Sequence, residues 1–267
     1  MLRDFGAGPL RWLAKAEAAE VGSFERLGEF RSAIAGLPID LAIIPKANRR
    51  KRLLIADMDS TMIGQECIDE LGIMAGAGEA IKAITYRAMR GELDFSQALR
   101  ERVALMRGLD VGAIGTILRE RITYAPGGRT LVATMKTHGA RTALVSGGFR
   151  QFTAAVAGEL GFDSHQANEL VIENGELAGK VQEPVLGKDA KVTILRRLAA
   201  ELSLTMDDVL AVGDGANDIP MLLTAGLGVA LHAKPKVREQ AHVAIDHGDL
   251  TALLYLQGYT KAEFAGV

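Results

Sequence analysis

Leu53-Leu54-Ile55-Ala56-Asp57-Met58-Asp59-Ser60-Thr61 is the stretch that decides how this chain folds. Leu53 to Ala56 is a short apolar run of the kind that forms a buried strand. The turn behind it carries two carboxylates two residues apart, at the carboxyl end of a strand, where open α/β sheets place their ligands. Charges of one sign this close repel and raise one pKa unless a cation holds them together. With a divalent cation present, one Asp is free to attack an electrophile while the other moves protons. Taken alone, the same five residues from Asp57 to Thr61 also read as an Asx-rich turn with a helix N-cap.

The neighbouring sequence resolves that choice. Residues 64 to 122 contain no convincing strand. Cys67 to Ala75, Ala77 to Met89, Phe95 to Leu105 and Val111 to Arg121 carry apolar residues at helical spacing, with Asp94 as an N-cap before the third. This predicts a helical unit inserted after the first strand, over the strand ends. After Pro126-Gly127-Gly128 the pattern alternates. Helices over Thr130–Thr137, Phe149–Leu160, Lys191–Leu202 and Ile219–Ala225 separate strands at Thr142–Val145, Val209–Val212 and Leu227–Ala230. Ala167–Ile172 and Leu177–Val181 flank Asn174-Gly175, a strong type I′ hairpin signal. Strands alternating with helices predict an α/β, doubly wound, mostly parallel sheet, here with an inserted helical cap and a small β-hairpin flap.

Two further strands deliver chemistry to the same sheet edge. The one ending at Val145 leads into Ser146-Gly147-Gly148, a hydroxyl and two glycines before a helix, which suits a phosphate cradle. The one ending at Val212 leads into Gly213-Asp214-Gly215-Ala216-Asn217-Asp218. Asp214 and Asp218 could complete an oxygen site for a hard cation such as Mg²⁺, and Asn217 could orient a phosphoryl oxygen. Each string alone reads as a turn or a cap. Three in register at one sheet edge do not. A phosphoryl group among these acids also calls for a fixed cation, and Lys191 is the candidate with Lys188 as its rival.

The N-terminal residues read differently. A helix is expected from Leu10 to about Val21, a second from Phe24 to Ala35, and a strand over Ile39–Ile44. Asn48-Arg49-Arg50-Lys51-Arg52 reads as a solvated linker. The expected divisions are a short α/β extension (1–50), a catalytic core (51–62 and 123–267) and a helical cap (63–122).

Composition narrows the function. The 267 residues are 48% hydrophobic and 24% charged, an ordinary globular balance. A formal net charge of −2 argues against a nucleic-acid footprint. No apolar run approaches the roughly 20 residues that span a bilayer, and charges interrupt the N-terminus where a signal peptide needs its apolar segment. A cytoplasmic protein with no membrane partner is the expectation. The single Cys67, beside Ile68 and Leu71, excludes an internal disulfide and reads as packing. Nothing in the sequence fixes an oligomeric state.

Together the motifs resemble the haloacid dehalogenase superfamily of phosphotransferases, and within it the phosphoserine phosphatases. The match runs from Leu53 to about Leu254. It takes in the Asp57–Thr61 turn, Glu66-Cys67-Ile68-Asp69-Glu70, the stretch Arg90–Phe95, Leu99–Val103, Val145–Phe149 and the hairpin region. It continues through the lysine helix, Val212–Met221 and His232–Val237. The resemblance implies an Mg²⁺-dependent enzyme that hydrolyses O-phospho-L-serine to L-serine and phosphate, the last step of L-serine biosynthesis. Asp57 is then the nucleophile that forms an aspartyl-phosphate, and Asp59 the acid and base. It also implies that Mg²⁺ binds Asp57, the backbone carbonyl of Asp59, and Asp214. Ser146, Gly147, Lys191 and Asn217 match positions that hold the phosphoryl group, and Lys191 fits the family spacing better than Lys188. Glu66 matches the partner of the substrate ammonium and Arg102 the partner of its carboxylate. Met89 and Phe95 match apolar cap positions, and His232 reads as structural. The alternative is a relative acting on another small phosphomonoester, or passing the phosphoryl group to an acceptor such as homoserine. A non-catalytic phospho-ligand sensor would lack a catalytic Asp, whereas Asp57, Asp59 and Asp214 are all present. Longer bacterial relatives carry a regulatory amino-acid-binding domain of the ferredoxin-like kind, for which about 50 residues with one strand are too few.

Overall fold

A computed structural model describes residues 2–187 and 189–266 of the chain, so Lys188 lies outside the described residues. In chain order the elements begin with β1 (Leu10–Ala14), β2 (Ala18–Val21), α1 (Leu27–Ile34) and β3 (Leu53–Ala56). Four helices follow, α2 (Cys67–Met74), α3 (Gly78–Met89), α4 (Phe95–Ala104) and α5 (Gly112–Glu120). Then come α6 (Gly128–Thr137), β4 (Arg141–Phe149), α7 (Arg150–Leu160), β5 (Ser164–Asn168), β6 (Leu170–Glu173) and β7 (Glu176–Val181). The last are α8 (Ala190–Glu201), β8 (Val209–Gly213), α9 (Ile219–Thr224), β9 (Leu227–Leu231), α10 (Pro235–Gln240), β10 (Val243–Ile245) and α11 (Ala252–Leu256).

Six strands form one parallel sheet in the order β10-β9-β8-β3-β4-β5. Alternate residues of a strand face opposite sides, and the central strands are apolar on both. Leu54 and Ala56 of β3, with Leu210 and Val212 of β8, join the core built with α6, α7 and the α2–α5 helices. Leu53, Ile55, Val209 and Ala211 join a second core under α8, α9 and α10. Chain order turns one way from β3 to β4 and the other way from β8 to β9. The crevice outside β3 and β8 is therefore the switch point where such sheets bind ligands. Ala56 lies in register with Val212, and the Asp57 N–H donates to Val212 O at 3.0 Å. That pairing brings the first and third acid loops together.

The helices expected between residues 64 and 122 are present, and Asp94 caps α4 with Gln97 in a reciprocal box. Asn174 and Gly175 both take positive φ, 52° and 84°, as a type I′ turn requires. The strand expected over Ala167–Ile172 divides at Glu169. Its first part belongs to β5 in the main sheet, and its second pairs with β7 in the hairpin. That hairpin also bonds to the chain between α4 and α5, where Gly108 N–H donates to Leu177 O and Val111 N–H to Gly175 O, both at 2.9 Å.

The N-terminal expectations need correction. Leu10–Val21 is not a helix but the hairpin β1–β2, turning at Ala16 with φ 61°. Leu13 and Ala14 find their burial against Tyr255, and Glu17 accepts from the Tyr255 hydroxyl at 2.7 Å. Docking thus overrides a helix-forming composition. Ile39–Ile44 is not a strand, since it has no ladder partner. The Asp40 carboxylate fixes it instead, accepting the N–H groups of Asp246, His247 and Gly248. The basic run is not a merely solvated linker either. Arg49 donates to the carbonyls of Leu256 and Tyr255 at the end of α11, and the Arg50 guanidinium lies 4.0 Å from the Tyr259 ring centre. No helix among the described residues is long and apolar enough to cross a membrane.

Candidate active site

Three loops meet outside β3, β4 and β8. Asp57 is 6% exposed and lies directly beyond β3. Its Oδ1 accepts the Met58 N–H at 2.8 Å and stands 2.6 Å from the Lys191 ammonium. Lys191, in the first turn of α8 and 5% exposed, also donates to Asp218 Oδ1 at 2.6 Å. Asp218 is fully buried, and its other oxygen accepts the Gly215 N–H at 3.0 Å. Burial, then the Asp218 charge, pushes the Asp57 carboxyl well above the usual range, and Lys191 opposes that rise. Burial works against the Lys191 charge, yet Asp57 and Asp218 hold its ammonium above its ordinary value.

Asp57, Asp214 and Asp218 place one carboxylate oxygen each within 4.8 Å of one another. Thr61 Oγ1 donates to Asp214 Oδ1 at 2.9 Å, and burial raises the Asp214 carboxyl as well. An oxygen-only set of three acids, two of them with carboxyl pKa values raised above the ordinary range, suits a hard divalent cation. The residues therefore fit a metal ion. Asp59 faces elsewhere. Its Oδ1 accepts the Cys67 N–H at the start of α2, and its Oδ2 accepts from the Ser146 hydroxyl, both at 2.9 Å.

Ser146 in turn accepts the Gly148 N–H at 2.8 Å. Gly147 lies in close approach to the cap, since a Cβ there would lie 3.1 Å from the Phe95 ring. Phe95, Ser146, Gly147, Leu186, Lys191 and Asn217 line one small cavity. The residues expected to form the phosphate cradle and the apolar cap position Phe95 thus share it. Met89 does not join them and is 74% exposed. Cys67 is buried, burial pushes its thiol up, and it serves as packing. His232 spends its main chain on Ile245 O and its ring on Asp246 O, a structural role.

Glu66 precedes α2 and Arg102 lies on α4, near enough for their charges to interact. Burial of the Glu66 carboxylate, then Asp59, pushes its pKa up to about 7, and the Ser60 hydroxyl at 2.7 Å holds it back. Glu66 keeps an open face to solvent, which softens that shift. Arg102 is half-buried, donating to Ala98 O at 3.2 Å and Thr85 Oγ1 at 3.4 Å. Desolvation lowers its pKa, while Asp69 and Glu66 support the charge.

Several residues have no signal in the sequence reading. Asn168, 3% exposed, donates to Gly147 O at 2.9 Å and accepts the Leu186 N–H at 2.7 Å, tying the cradle to the segment before α8. Gln65 and Thr123 bond reciprocally at 2.9 Å where the chain enters and leaves the helical unit.

Residues 54–223 match the haloacid dehalogenase-like hydrolase family. Over 204 residues the chain is 46% identical to the phosphoserine phosphatase of Lactococcus lactis, covering 76% of this chain and 94% of that one. The chain belongs to the phosphoserine phosphatases of the haloacid dehalogenase family. It is also 43% identical to the Streptomyces coelicolor phosphoserine phosphatase over 86% of its own length, but spans only 56% of that longer relative. The structure of a phospho-aspartyl intermediate analogue of phosphoserine phosphatase superposes with a TM-score of 0.71 at 39% identity, over 77% of this chain and 98% of that one. Members of this family share the parallel α/β core, and the acidic cluster of Asp57, Asp214 and Asp218 lies at its switch point.

Proposed function

We propose that the chain hydrolyses O-phospho-L-serine to L-serine and phosphate through an aspartyl-phosphate on Asp57, as a cytoplasmic enzyme. Asp57, Asp214 and the main-chain carbonyl of Asp59 would hold Mg²⁺, with Asp218 beside them. When bound, the ion neutralises these acids and draws electron density from the phosphoryl oxygens. The observation that carries the reading is the Lys191 ammonium, 2.6 Å from Asp57 Oδ1 and lining one small cavity with Ser146, Gly147 and Asn217.

The chain's own groups then divide the work. Lys191, Ser146, the Gly147 main chain and Asn217 hold the phosphoryl group. An Asp57 carboxylate oxygen forms the new bond to phosphorus as the serine oxygen leaves, and Asp59 gives that oxygen a proton. Asp59 next takes a proton from the water that attacks the acyl phosphate, releasing phosphate and restoring Asp57. The Ser146 hydroxyl and Cys67 N–H orient Asp59 for both transfers. Glu66 pairs with the substrate ammonium and Arg102 with its carboxylate, one charge of each sign for an amino acid head group. Residues 63–122 serve as the cap, 51–62 and 123–267 as the catalytic core, and 1–50 as an extension packed on that core.

Phosphate release from a panel of small phosphomonoesters, with and without Mg²⁺, tests this. Phosphoserine as the favoured substrate, with release abolished by chelator, is expected. A different preferred phosphomonoester, or release that rises only when homoserine is added as acceptor, would overturn it.

A further inference from the structure

Ser60 follows the two acids of the first loop and takes φ 56°, in the left-handed region where glycine is at ease and a side chain is not. A strained non-glycine residue beside a site points to a use for its side chain. The Ser60 hydroxyl has one. It donates to Glu66 Oε1 at 2.7 Å, while the Ser60 N–H donates to Gln65 O at 3.3 Å. The nucleophile loop is thereby folded back on the first residues of the helical unit. Other charges around Glu66 are mostly of its own sign, namely Asp59, Asp69 and Asp214, with Arg102 the opposing cation.

We propose that Ser60 is a positioning residue for head-group recognition, its hydroxyl holding one Glu66 oxygen so that the other meets the substrate ammonium. The proposal rests on the reading of Glu66 as the ammonium partner. A glutamate free to rotate loses more conformational freedom on binding, and a carboxylate among acids has less reason to stay charged without an O–H donor. Glycine at this position would lift the backbone strain while deleting the hydroxyl, which separates folding from recognition. Asparagine tolerates the same φ and retains a donor.

The experiment compares Ser60→Gly and Ser60→Asn with the parent enzyme on phosphoserine and on p-nitrophenyl phosphate, which has no ammonium group. Ser60→Gly is expected to keep the parent Tm or exceed it. Its kcat/KM ratio for phosphoserine over the aryl ester should fall about fivefold, the value of one partly solvated hydrogen bond to a charged group, with the loss in KM. Its acid limb for phosphoserine should move to higher pH, and Ser60→Asn should recover part of both. An unchanged ratio in Ser60→Gly, or equal losses on the two substrates, would overturn the role of Ser60. Failure of the parent enzyme to hydrolyse phosphoserine would instead overturn the functional reading beneath it.

Discussion

Replacing Lys191 with methionine should cost stability through the two acids it leaves behind. The side chain is 5% exposed and its ammonium lies 2.6 Å from both Asp57 Oδ1 and Asp218 Oδ1, which are themselves buried. Methionine fills a similar volume, so packing changes little. What is lost is the compensation of buried charge, about 3–5 kcal/mol when one partner of a buried pair is removed. At roughly 2–4 °C per kcal/mol for a chain near this size, the metal-free Tm should drop by about 10 °C at pH 8. The pH dependence has a definite sign. The Asp57 carboxyl already titrates well above its ordinary range in the folded protein, and loss of the ammonium lifts it further. A carboxyl whose folded pKa exceeds its unfolded value is destabilising above that folded pKa, and the penalty shrinks as pH falls toward the unfolded value. The deficit of Lys191→Met should therefore narrow between pH 8 and pH 5. Differential scanning calorimetry across that range measures it. A Tm within about 2 °C of the parent at pH 8, or a deficit that does not narrow on acidification, would refute the picture of Lys191 as compensating cation.

Arg102→Ala should lower kcat/KM for phosphoserine by about a hundredfold or more, as loss of a carboxylate clamp does, and affect p-nitrophenyl phosphate far less; equal losses would remove Arg102 from head-group recognition. Glu66, pushed up to about 7, should impose an acid limb, because the charged form binds the ammonium and protonation below that pH removes it. Phosphoserine kcat/KM should fall as pH drops below about 7, and Glu66→Gln should flatten that limb. A limb that persists unchanged in Glu66→Gln would assign it to another group.

The catalytic layer was legible because β3, β8 and the Thr142–Val145 part of β4 are buried on both faces and so read as largely apolar runs, each followed by its loop. Each of the three acid or hydroxyl loops is a contiguous string in the sequence, which is why Asp57, Ser146 and Asp214 could be named before any contact was known. Asn168 was not legible, since its partners are 21 and 18 residues away and nothing local marks it. The same holds for Gln65 with Thr123, 58 residues apart, and for Arg102 with Thr85. Asp218 was named as a cation ligand beside Asp214, but its grip on Lys191 depends on α8 packing beside α9, whose N-cap residue is Asp218. At the N-terminus, local pattern misled. Leu10, Leu13, Ala14 and Ala18 fit a helical stripe, yet Leu10 stays exposed and the surface that Leu13, Ala14 and Ala18 pack on is Tyr255 and Phe264, far along the chain. Ile39–Ile44 has the apolar content of a strand, but β10 beside it is three residues long and pairs only with β9.

The central claim is that the Asp57 carboxylate becomes covalently bonded to phosphorus during turnover. Acid quenching of the enzyme in turnover with radiolabelled O-phosphoserine, followed by borohydride reduction and peptide mapping, tests it most directly. The account predicts a label that hydroxylamine removes and a reduced residue at position 57 alone. Steady turnover with no trapped label, or a label mapped to any other residue, would contradict it.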